Sequence, residues 1–196
     1  MQKIVILNGG VGNFSNVQKA INGIISNNIE DIKTADKLIL PGVGSFGAVS
    51  KNISHLKEYI LEHIDKNKPF LGICLGMQML FESSEEDEGE GLSYLPGKVV
   101  KFKNMKVPHI GWNDVEIIKE SPIFKGISSE SFFYFVHSYY VVTEEKFVIS
   151  YTNYESKGNI CKFVSSIQKG YVFGVQFHPE KSSENGIKLL DNFKKL

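Results

Sequence analysis

Residues 69–81 read PFLGICLGMQMLF, an apolar run that passes through Gly-Ile-Cys-Leu-Gly into a helix-like stretch. Residues 70–74 predict a buried strand, and residues 77–81 predict the helix that follows it. The glycines on either side of Cys74 allow the backbone to double back without side-chain collisions. This pattern is the thiol form of a nucleophile elbow, a strand-turn-helix unit that exposes its central residue.

Two chemical consequences follow for a cysteine at this turn. The start of a helix beneath Cys74 favours the thiolate form. The backbone N–H of Leu75 is directed to the space where an oxyanion would form. The alternative is that Cys74 is a small buried hydrophobe, a common role for a lone cysteine in a strand.

A second signal lies near the other end of the chain, where residues 174–177 predict a buried strand that runs into His178-Pro179-Glu180. A cysteine nucleophile needs a base, and the base needs an orienting group. His178 supplies the base, and Glu180, on the same side of an extended chain, can bind the far imidazole nitrogen. The tripeptide by itself is equally compatible with an ordinary strand exit.

The distribution of apolar runs predicts an α/β fold with a mostly parallel central sheet, flanked by helices and extended by antiparallel strands. In the first half strands alternate with helices, whereas the second half is rich in strands that we expect in the same sheet. We expect one domain over residues 1–196. The predicted strands are residues 3–7, 37–40, 70–74, 98–102, 114–118, 131–136, 148–151, 159–164 and 171–176. The predicted helices are residues 13–25, 46–65 as one helix or two, and 184–195. Residues 83–90 are acidic and predict a solvated loop.

Composition excludes several classes of protein. The 196 residues carry 22 basic and 22 acidic side chains, so the chain lacks the basic excess of a nucleic-acid-binding protein. The apolar run of residues 4–7 is too short for a signal peptide or a membrane span, which predicts a cytoplasmic protein. The two cysteines, Cys74 and Cys161, have no metal-site spacing, and we expect no metal, no cofactor and only a packing role for Cys161.

Cys74 in Gly-x-Cys-x-Gly, together with His178 and Glu180 in His-Pro-Glu, resembles the class I (triad) glutamine amidotransferases, whose fold is flavodoxin-like. Further segments resemble the glutaminase subunits of imidazole glycerol phosphate synthase within that family: residues 40–46 (LPGVGSF), 71–78 (LGICLGMQ), 107–113 (VPHIGWN), 135–139 (FVHSY) and 174–182 (GVQFHPEKS). The resemblance covers nearly the whole chain in order. It implies hydrolysis of L-glutamine to glutamate and ammonia.

The oxyanion would be bound by Leu75 N–H and, as the resemblance implies, by an oxyanion strand that includes Gly42, Val43 and Gly44. If a peptide there must flip to supply the second donor, the resting site is nearly silent and a partner switches it on. Losing one such donor costs about 100- to 1000-fold in rate. The alternative for this segment is an ordinary turn at a strand end.

Three residues are candidates for binding glutamine. Gln78 lies one helical turn after Cys74 and faces the same side, although it could also be a helix surface residue with no binding role. The resemblance places Ser138 and Tyr139 near the amino-acid end of glutamine. His137 is interpreted as structural, because a triad needs only one base.

The resemblance implies a heterodimer with a (β/α)8 cyclase subunit that receives the ammonia through a channel. That enzyme makes imidazole glycerol phosphate and an aminoimidazole carboxamide ribotide in histidine biosynthesis. Asn13, Trp112 and Lys181 would lie at the interface, where the lone tryptophan is a natural anchor. The alternative for Trp112 is a core position.

One segment departs from the family. Residues 7–17 read LNGGVGNFSNV, where the family usually opens with an Asp-Tyr-Gly type loop. This keeps open a paralogous glutaminase that supplies ammonia to a cyclase-like partner amidating a nucleotide sugar for surface polysaccharide or flagellar glycan. A stand-alone γ-glutamyl cysteine hydrolase would need no partner, and a catalytically idle binding subunit would lack turnover.

Overall fold

A computed structural model describes residues 2–10 and 14–196. Its helices and strands follow in chain order: β1 Ile4–Ile6, α1 Phe14–Ile21, β2 Ile24–Ile25, α2 Ile29–Thr34, β3 Lys37–Gly42, α3 Phe46–Ile53, α4 Lys57–Asp65, β4 Phe70–Cys74, α5 Leu75–Gln78, β5 Ser83–Ser84, β6 Gly97–Lys101, β7 His109–Ile117, β8 Ser131–His137, β9 Tyr139–Thr143, β10 Val148–Ser156, β11 Asn159–Lys169, β12 Val172–Val175 and α6 Ser183–Lys194. In these described ranges no helix is long and apolar enough to cross a membrane.

The large sheet has nine strands in the order β2-β1-β3-β4-β12-β11-β10-β7-β8. Strands β2, β1, β3, β4 and β12 are parallel, and the pairings from β12 to β8 are antiparallel. The predicted fold class, a mostly parallel α/β sheet with added antiparallel strands, is confirmed. Strands β1, β3, β4 and β12 are buried along their whole length, which explains their continuous apolar sequences.

The expectation that every strand after residue 97 joins this sheet is wrong for β6. It pairs with β5 and with β9 in a separate three-stranded sheet. The chain crosses from one sheet to the other at Ser138, the single residue between β8 and β9. The crossing brings Ser138 and Tyr139 to the end of β4 that carries Cys74, and all three residues line one cavity.

Two predicted helices differ from the structure. The helix predicted over residues 13–25 ends at Ile21, because Asn22 has a φ of 58° and Ile24 then pairs with Val5 as an edge strand. On α6 the spacing of Ile187, Leu190 and Phe193 in the sequence predicts one buried face, but Ile187 is 54% exposed, and Leu189, Leu190 and Phe193 form that face instead.

The acidic segment of residues 83–90 is more than a solvated loop. Ser83–Ser84 forms β5, and two of the following acids accept hydrogen bonds from the first turn of α3. Phe46 N–H donates to Glu86 Oε2 at 2.8 Å, and Gly47 N–H donates to Asp87 Oδ1 at 2.7 Å. Carboxylates at a helix start satisfy donors that have no partner within the helix. The loop is thereby held against the carboxyl end of β3.

Candidate active site

Cys74 stands at a strained turn between β4 and α5. Its φ of 54° and ψ of −111° lie in a region that non-glycine residues rarely adopt. The flanking glycines make the turn possible: a Cβ on Gly72 would lie 2.5 Å from Gly76 O, and a Cβ on Gly76 would collide with Leu40 O. The elbow predicted from Gly-x-Cys-x-Gly is therefore present, with both glycines required by close backbone contacts.

The helix after the elbow is short and begins two residues before the predicted range of residues 77–81. It comprises only Leu75–Gln78, so it accumulates little dipole to stabilise a thiolate at Cys74. Charged and hydrogen-bonding side chains around the sulfur must take over that role.

His178 and Glu180 form a buried pair. His178 Nδ1–H donates to Glu180 Oε1 at 2.8 Å, and the two side chains are 2% and 6% exposed. The chain here is not extended as predicted, since Pro179–Lys181 forms a 3-10 turn. The turn nonetheless brings the carboxylate back onto the imidazole.

Burial by itself would lower the pKa of His178. The charge and hydrogen-bonding capacity of the Cys74 thiolate, followed by Glu180, outweigh burial and raise that pKa to about 10. Imidazolium and thiolate therefore stabilise each other. In the resting geometry His178 Nε2 has no hydrogen-bond partner within the described ranges. Cys74 Sγ lies instead 3.9 Å from Val136 O and accepts a bond from Gln176 Nε2 at 3.5 Å.

A cavity of about 200 Å³ opens beside Cys74. It is lined by Gly42, Val43, Gly44, Cys74, Leu75, Gln78, Glu86, Val136, His137, Ser138 and Tyr139. A smaller cavity of about 30 Å³ contains His178 and Glu180 and shares Gly42 and Val43 with the first. The segment predicted as the oxyanion strand therefore borders both the nucleophile and the base. Gly42 is opposite Cys74 in the β3-β4 register, and Gly44 has a φ of 107°.

Gln78 is a buried, hydrogen-bonded residue of this cavity rather than a helix surface residue with no binding role. Its Nε2 donates to Tyr139 O at 3.1 Å and to Gln176 Oε1 at 3.0 Å. Both amide hydrogens are used, which leaves Oε1 to accept from a ligand.

A larger cavity, about 750 Å³, lies along residues 117–129 and contains none of the predicted site residues. The chemistry of the lining, rather than volume, therefore identifies the candidate site. Within residues 2–10 and 14–196 no group of three or more His, Cys, Asp or Glu side chains could hold a metal ion.

The predicted interface residues have different surroundings. Trp112 is 52% exposed, so its interpretation as a core residue is wrong. Lys181 is exposed, with Nζ 5.7 Å from the centre of the Tyr134 ring. Asn13 lies outside the described residues.

Comparisons with known proteins decide the family. The family model described as glutamine amidotransferase class-I matches residues 16–196. The chain belongs to this family. Over an alignment of 198 positions that covers 100% of this chain and 100% of the relative, it is 52% identical to "Imidazole glycerol phosphate synthase subunit HisH" of Pyrococcus furiosus. It is 49% identical to the protein of that name from Thermococcus kodakarensis over 194 residues, 98% of this chain and 100% of the relative.

A solved structure agrees in fold. A glutamine amidotransferase from Thermotoga maritima superposes with a TM-score of 0.63 at 18% identity, covering 99% of this chain and 83% of that one. The match of the family model over residues 16–196 confirms the resemblance to class I amidotransferases noted from the motifs, and the chain is a glutamine amidotransferase.

Two buried histidines of this amidotransferase form an ordered chain of hydrogen bonds. His137 Nδ1 must donate to Tyr139 O at 2.8 Å, because a carbonyl only accepts. His137 Nε2 then accepts from His109 Nδ1 at 3.1 Å, and His109 Nε2 is left to accept from Asn113 Nδ2 at 3.4 Å. Burial lowers the pKa of His109 to about 4 and that of His137 to about 3. Both ring nitrogens of His137 are occupied, in agreement with a structural role.

Sequence inspection missed two polar residues of the amidotransferase site. Glu86 lines the cavity, and burial followed by repulsion from Asp87 raises its pKa, although Phe46 N–H opposes the shift. Nothing in the acidic run of residues 85–88 distinguishes Glu86 from its neighbours. Gln176 contacts the nucleophile, and its position two residues before His178 was the only available signal.

Proposed function

We propose that the chain is the cytoplasmic glutaminase subunit of an imidazole glycerol phosphate synthase and acts as a single domain that passes ammonia to a cyclase partner. One observation supports the chemistry above all: Cys74 stands at a strained elbow beside the buried His178-Glu180 pair. The choice of synthase rests on full-length relatives that carry the name HisH at 52% and 49% identity.

The first chemical step joins Cys74 to the glutamine side chain. With the proton of the Cys74 thiol already on His178 Nε2, the thiolate sulfur bonds to the amide carbon and the carbonyl electron pair moves to oxygen. His178 then gives this proton to the amide nitrogen. The electron pair on oxygen re-forms the carbonyl as the C–N bond breaks, so ammonia is released and a thioester remains on Cys74. Water, deprotonated by His178, hydrolyses the thioester to glutamate and free thiol. Glu180 keeps Nε2 facing the reaction by holding the proton on Nδ1.

The negative oxygen is stabilised by Leu75 N–H and by a peptide of the segment 42–44. Gly42 and Val43 line both cavities, so a movement of this segment changes the nucleophile side and the base side together. This couples partner docking to oxyanion binding, worth about 100- to 1000-fold in rate.

Glutamine is oriented by acceptors on the far side of the cavity. Its ammonium group faces Gln78 Oε1 and the Glu86 carboxylate, while the backbone at Ser138 and Tyr139 closes the amino-acid end. A carboxylate and a carbonyl oxygen suit an ammonium group, which has donors only.

The partner docks on the exposed hairpin β7-β8. The docking face comprises Ile110, Trp112, Phe132 and Tyr134, and Ile110, Trp112 and Phe132 are each more than half exposed. Trp112 is opposite Tyr134 in the β7-β8 register, with ring centres 6.2 Å apart. The face is connected to the base directly, because His178 N–H donates to Tyr134 O at 2.8 Å. Aromatic anchors of this kind dominate protein interfaces. Asn13 and Lys181 complete the proposed interface.

The deciding experiment measures glutamate release by the purified chain, alone and with the histidine-pathway cyclase from the same organism plus its phosphorylated ribulosyl aminoimidazole carboxamide substrate. We expect stimulation by about 100-fold or more, abolished in Cys74→Ala.

Each alternative gives a different result. Rapid turnover without a partner identifies a stand-alone γ-glutamyl cysteine hydrolase. Silence with this cyclase, together with activity beside a sugar-amidating partner, identifies the paralogue. Glutamate release retained by Cys74→Ala rules out the nucleophile.

A further inference from the structure

Gln176 is a wholly buried amide in the segment between β12 and His178. We propose that Gln176 is a further catalytic residue, whose side-chain N–H stabilises the thiolate of Cys74. This role rests on the proposed glutaminase function for its purpose, although the contact itself is independent of substrate and partner.

The contacts of Gln176 lead from the glutamine pocket to the sulfur. Its Oε1 accepts from Gln78 Nε2 at 3.0 Å, and its Nε2 lies 3.5 Å from Cys74 Sγ. Its backbone N–H donates to Ser165 O at 2.9 Å, which anchors the residue to β11. The side chain is therefore positioned at both its backbone and its amide end.

The orientation of the amide follows from its neighbours. Tyr139 O can only accept, so the atom of Gln78 that faces it at 3.1 Å is the nitrogen. That nitrogen donates its second hydrogen to Gln176, so the Gln176 atom facing Gln78 is the oxygen. The other end of the Gln176 amide, facing Cys74, is then the nitrogen. A carbonyl of the main chain thus determines that the sulfur meets a donor.

The sulfur needs such a donor. Val136 O, 3.9 Å from Sγ, can accept from the thiol but repels a thiolate, and α5 is too short to supply a substantial dipole. The titratable residues around Cys74 are His178 with its partner Glu180 and, in the lining of the same pocket, Glu86, His137 and Tyr139. The negative Glu86 opposes the thiolate, and His137 uses both nitrogens elsewhere. A buried N–H donor to an anionic sulfur is a charge-assisted bond, stronger than its neutral counterpart.

The test is the rate at which iodoacetamide alkylates Cys74 between pH 5 and pH 10, on the full chain without glutamine or partner. In this reaction the thiolate bonds to the methylene carbon and iodide leaves. Gln176→Met keeps the size of the side chain and removes its donor. We expect the midpoint of the pH profile to rise by about one unit, so that alkylation falls about tenfold at pH values below both midpoints. Gln168→Met is the matched control, because Gln168 Nε2 donates only to Gly170 O at 3.1 Å and the residue pairs with Phe173, at the end of β12 away from Gln176; we expect its alkylation rate to stay within about twofold of the parent.

Unchanged alkylation in Gln176→Met overturns the proposal and leaves Gln176 a core amide that supports Gln78. An equal fall in both variants also overturns it, because replacing a glutamine that does not contact the sulfur would then have the same effect. Melting curves check the fold. If Gln176→Met fails to fold, Gln176→Asn, which is too short to reach Sγ, gives the same readout. Because this assay needs no glutamine, it remains informative even if the partner experiment contradicts the proposed function.

Discussion

Cys74 occupies a backbone conformation that few residues other than glycine tolerate, and this strain is stored at the atom proposed to react. A residue in such a region costs on the order of 1–3 kcal/mol. The surrounding structure holds Cys74 in this conformation. Gly42 pairs with it across β3-β4, and close backbone contacts leave no room for a side chain at Gly72 or Gly76. The strain therefore has a measurable signature in stability.

We expect Cys74→Gly to be more stable than Cys74→Ala by about 1 kcal/mol. In ordinary strands glycine is the less stable residue, but at a φ of 54° it relieves strain that alanine keeps. Urea unfolding of the two variants measures the difference, and the same Ala-Gly pair at Val5, in the middle of β1, is the control with the opposite sign. Equal stability at position 74 would mean that the elbow is unstrained.

Glu180 determines which nitrogen of His178 carries the proton. In Glu180→Gln the amide can turn its NH₂ toward Nδ1, which leaves Nε2 protonated and unable to accept from Cys74. We expect kcat for glutamine with the partner to fall about 1000-fold or more, with KM little changed. Loss of the Glu180 charge also lowers the pKa of His178 from about 10, which NMR titration of the free chain can follow. Glu180→Asp, which keeps the charge, should retain more activity; a fall of less than threefold in Glu180→Gln would contradict the role.

Among the secondary-structure elements, the local sequence pattern identified the elbow and the strands that are buried on both faces. The predicted strand of residues 70–74 coincides with β4, because a continuous apolar run bounded by proline and a glycine turn has few other solutions. Ile24 and Ile25 resemble the end of an amphipathic helix, yet edge pairing with β1 makes them a strand. Strand β9 was missed, since nothing local marks the sheet crossing at Ser138.

The candidate site shows the same contrast between residues that a local motif marks and residues that only tertiary contacts place. Motif spacing located Cys74, His178 and Glu180, because elbow and His-Pro-Glu chemistry depends on residues adjacent in sequence. Glu86 and Gln176 reach the cavity only through tertiary contacts, with Phe46 N–H in one case and with Gln78 in the other. Such contacts have no local sequence signature.

The hairpin β7-β8 is proposed as the docking element, which leads to a prediction for Trp112. We expect Trp112→Ala to weaken cyclase binding about 30-fold, equivalent to about 2 kcal/mol, while the melting temperature changes by no more than about 2 °C. Tyr171→Ala is the matched control, because Tyr171 is 50% exposed against 52% for Trp112 and lies at the opposite end of β4 from Cys74. A large drop in melting temperature with unchanged affinity would instead assign Trp112 a structural role.

At the scale of the whole molecule, the two halves of the large sheet divide the work. The parallel half carries the elbow of Cys74, and the antiparallel half carries the proposed docking face. They meet where His178 N–H donates to Tyr134 O at 2.8 Å and where Tyr134 N–H donates to Ser182 Oγ at 2.9 Å. Because these bonds join the outer edge of β8 to the segment that holds the base, we expect a partner bound at the proposed docking face to act on that segment.

The stability of the whole chain should depend on pH through three buried neutral histidines. Burial lowers the pKa of His63 and His109 to about 4 and that of His137 to about 3, from an ordinary value of 6.5. Below pH 6.5 these histidines bind protons in the unfolded chain but stay neutral in the folded chain, so the free energy of unfolding falls as pH decreases toward 4. Each histidine contributes about 2 kcal/mol of this loss at pH 5. His178 adds no slope below pH 6, because it is protonated in both states.

His63 permits the cleanest test of this linkage, because it lies outside the catalytic cavity. Its Nε2–H donates to Pro69 O at 3.1 Å, a bond that a glutamine side chain can replace. We expect His63→Gln to lose about 2 kcal/mol less stability than the parent chain between pH 7 and pH 5, measured by urea unfolding at both values. His55→Gln, at an exposed histidine, should lose as much as the parent. If His63→Gln and His55→Gln behave alike, His63 is protonated in the folded chain and the buried-histidine account of acid sensitivity fails.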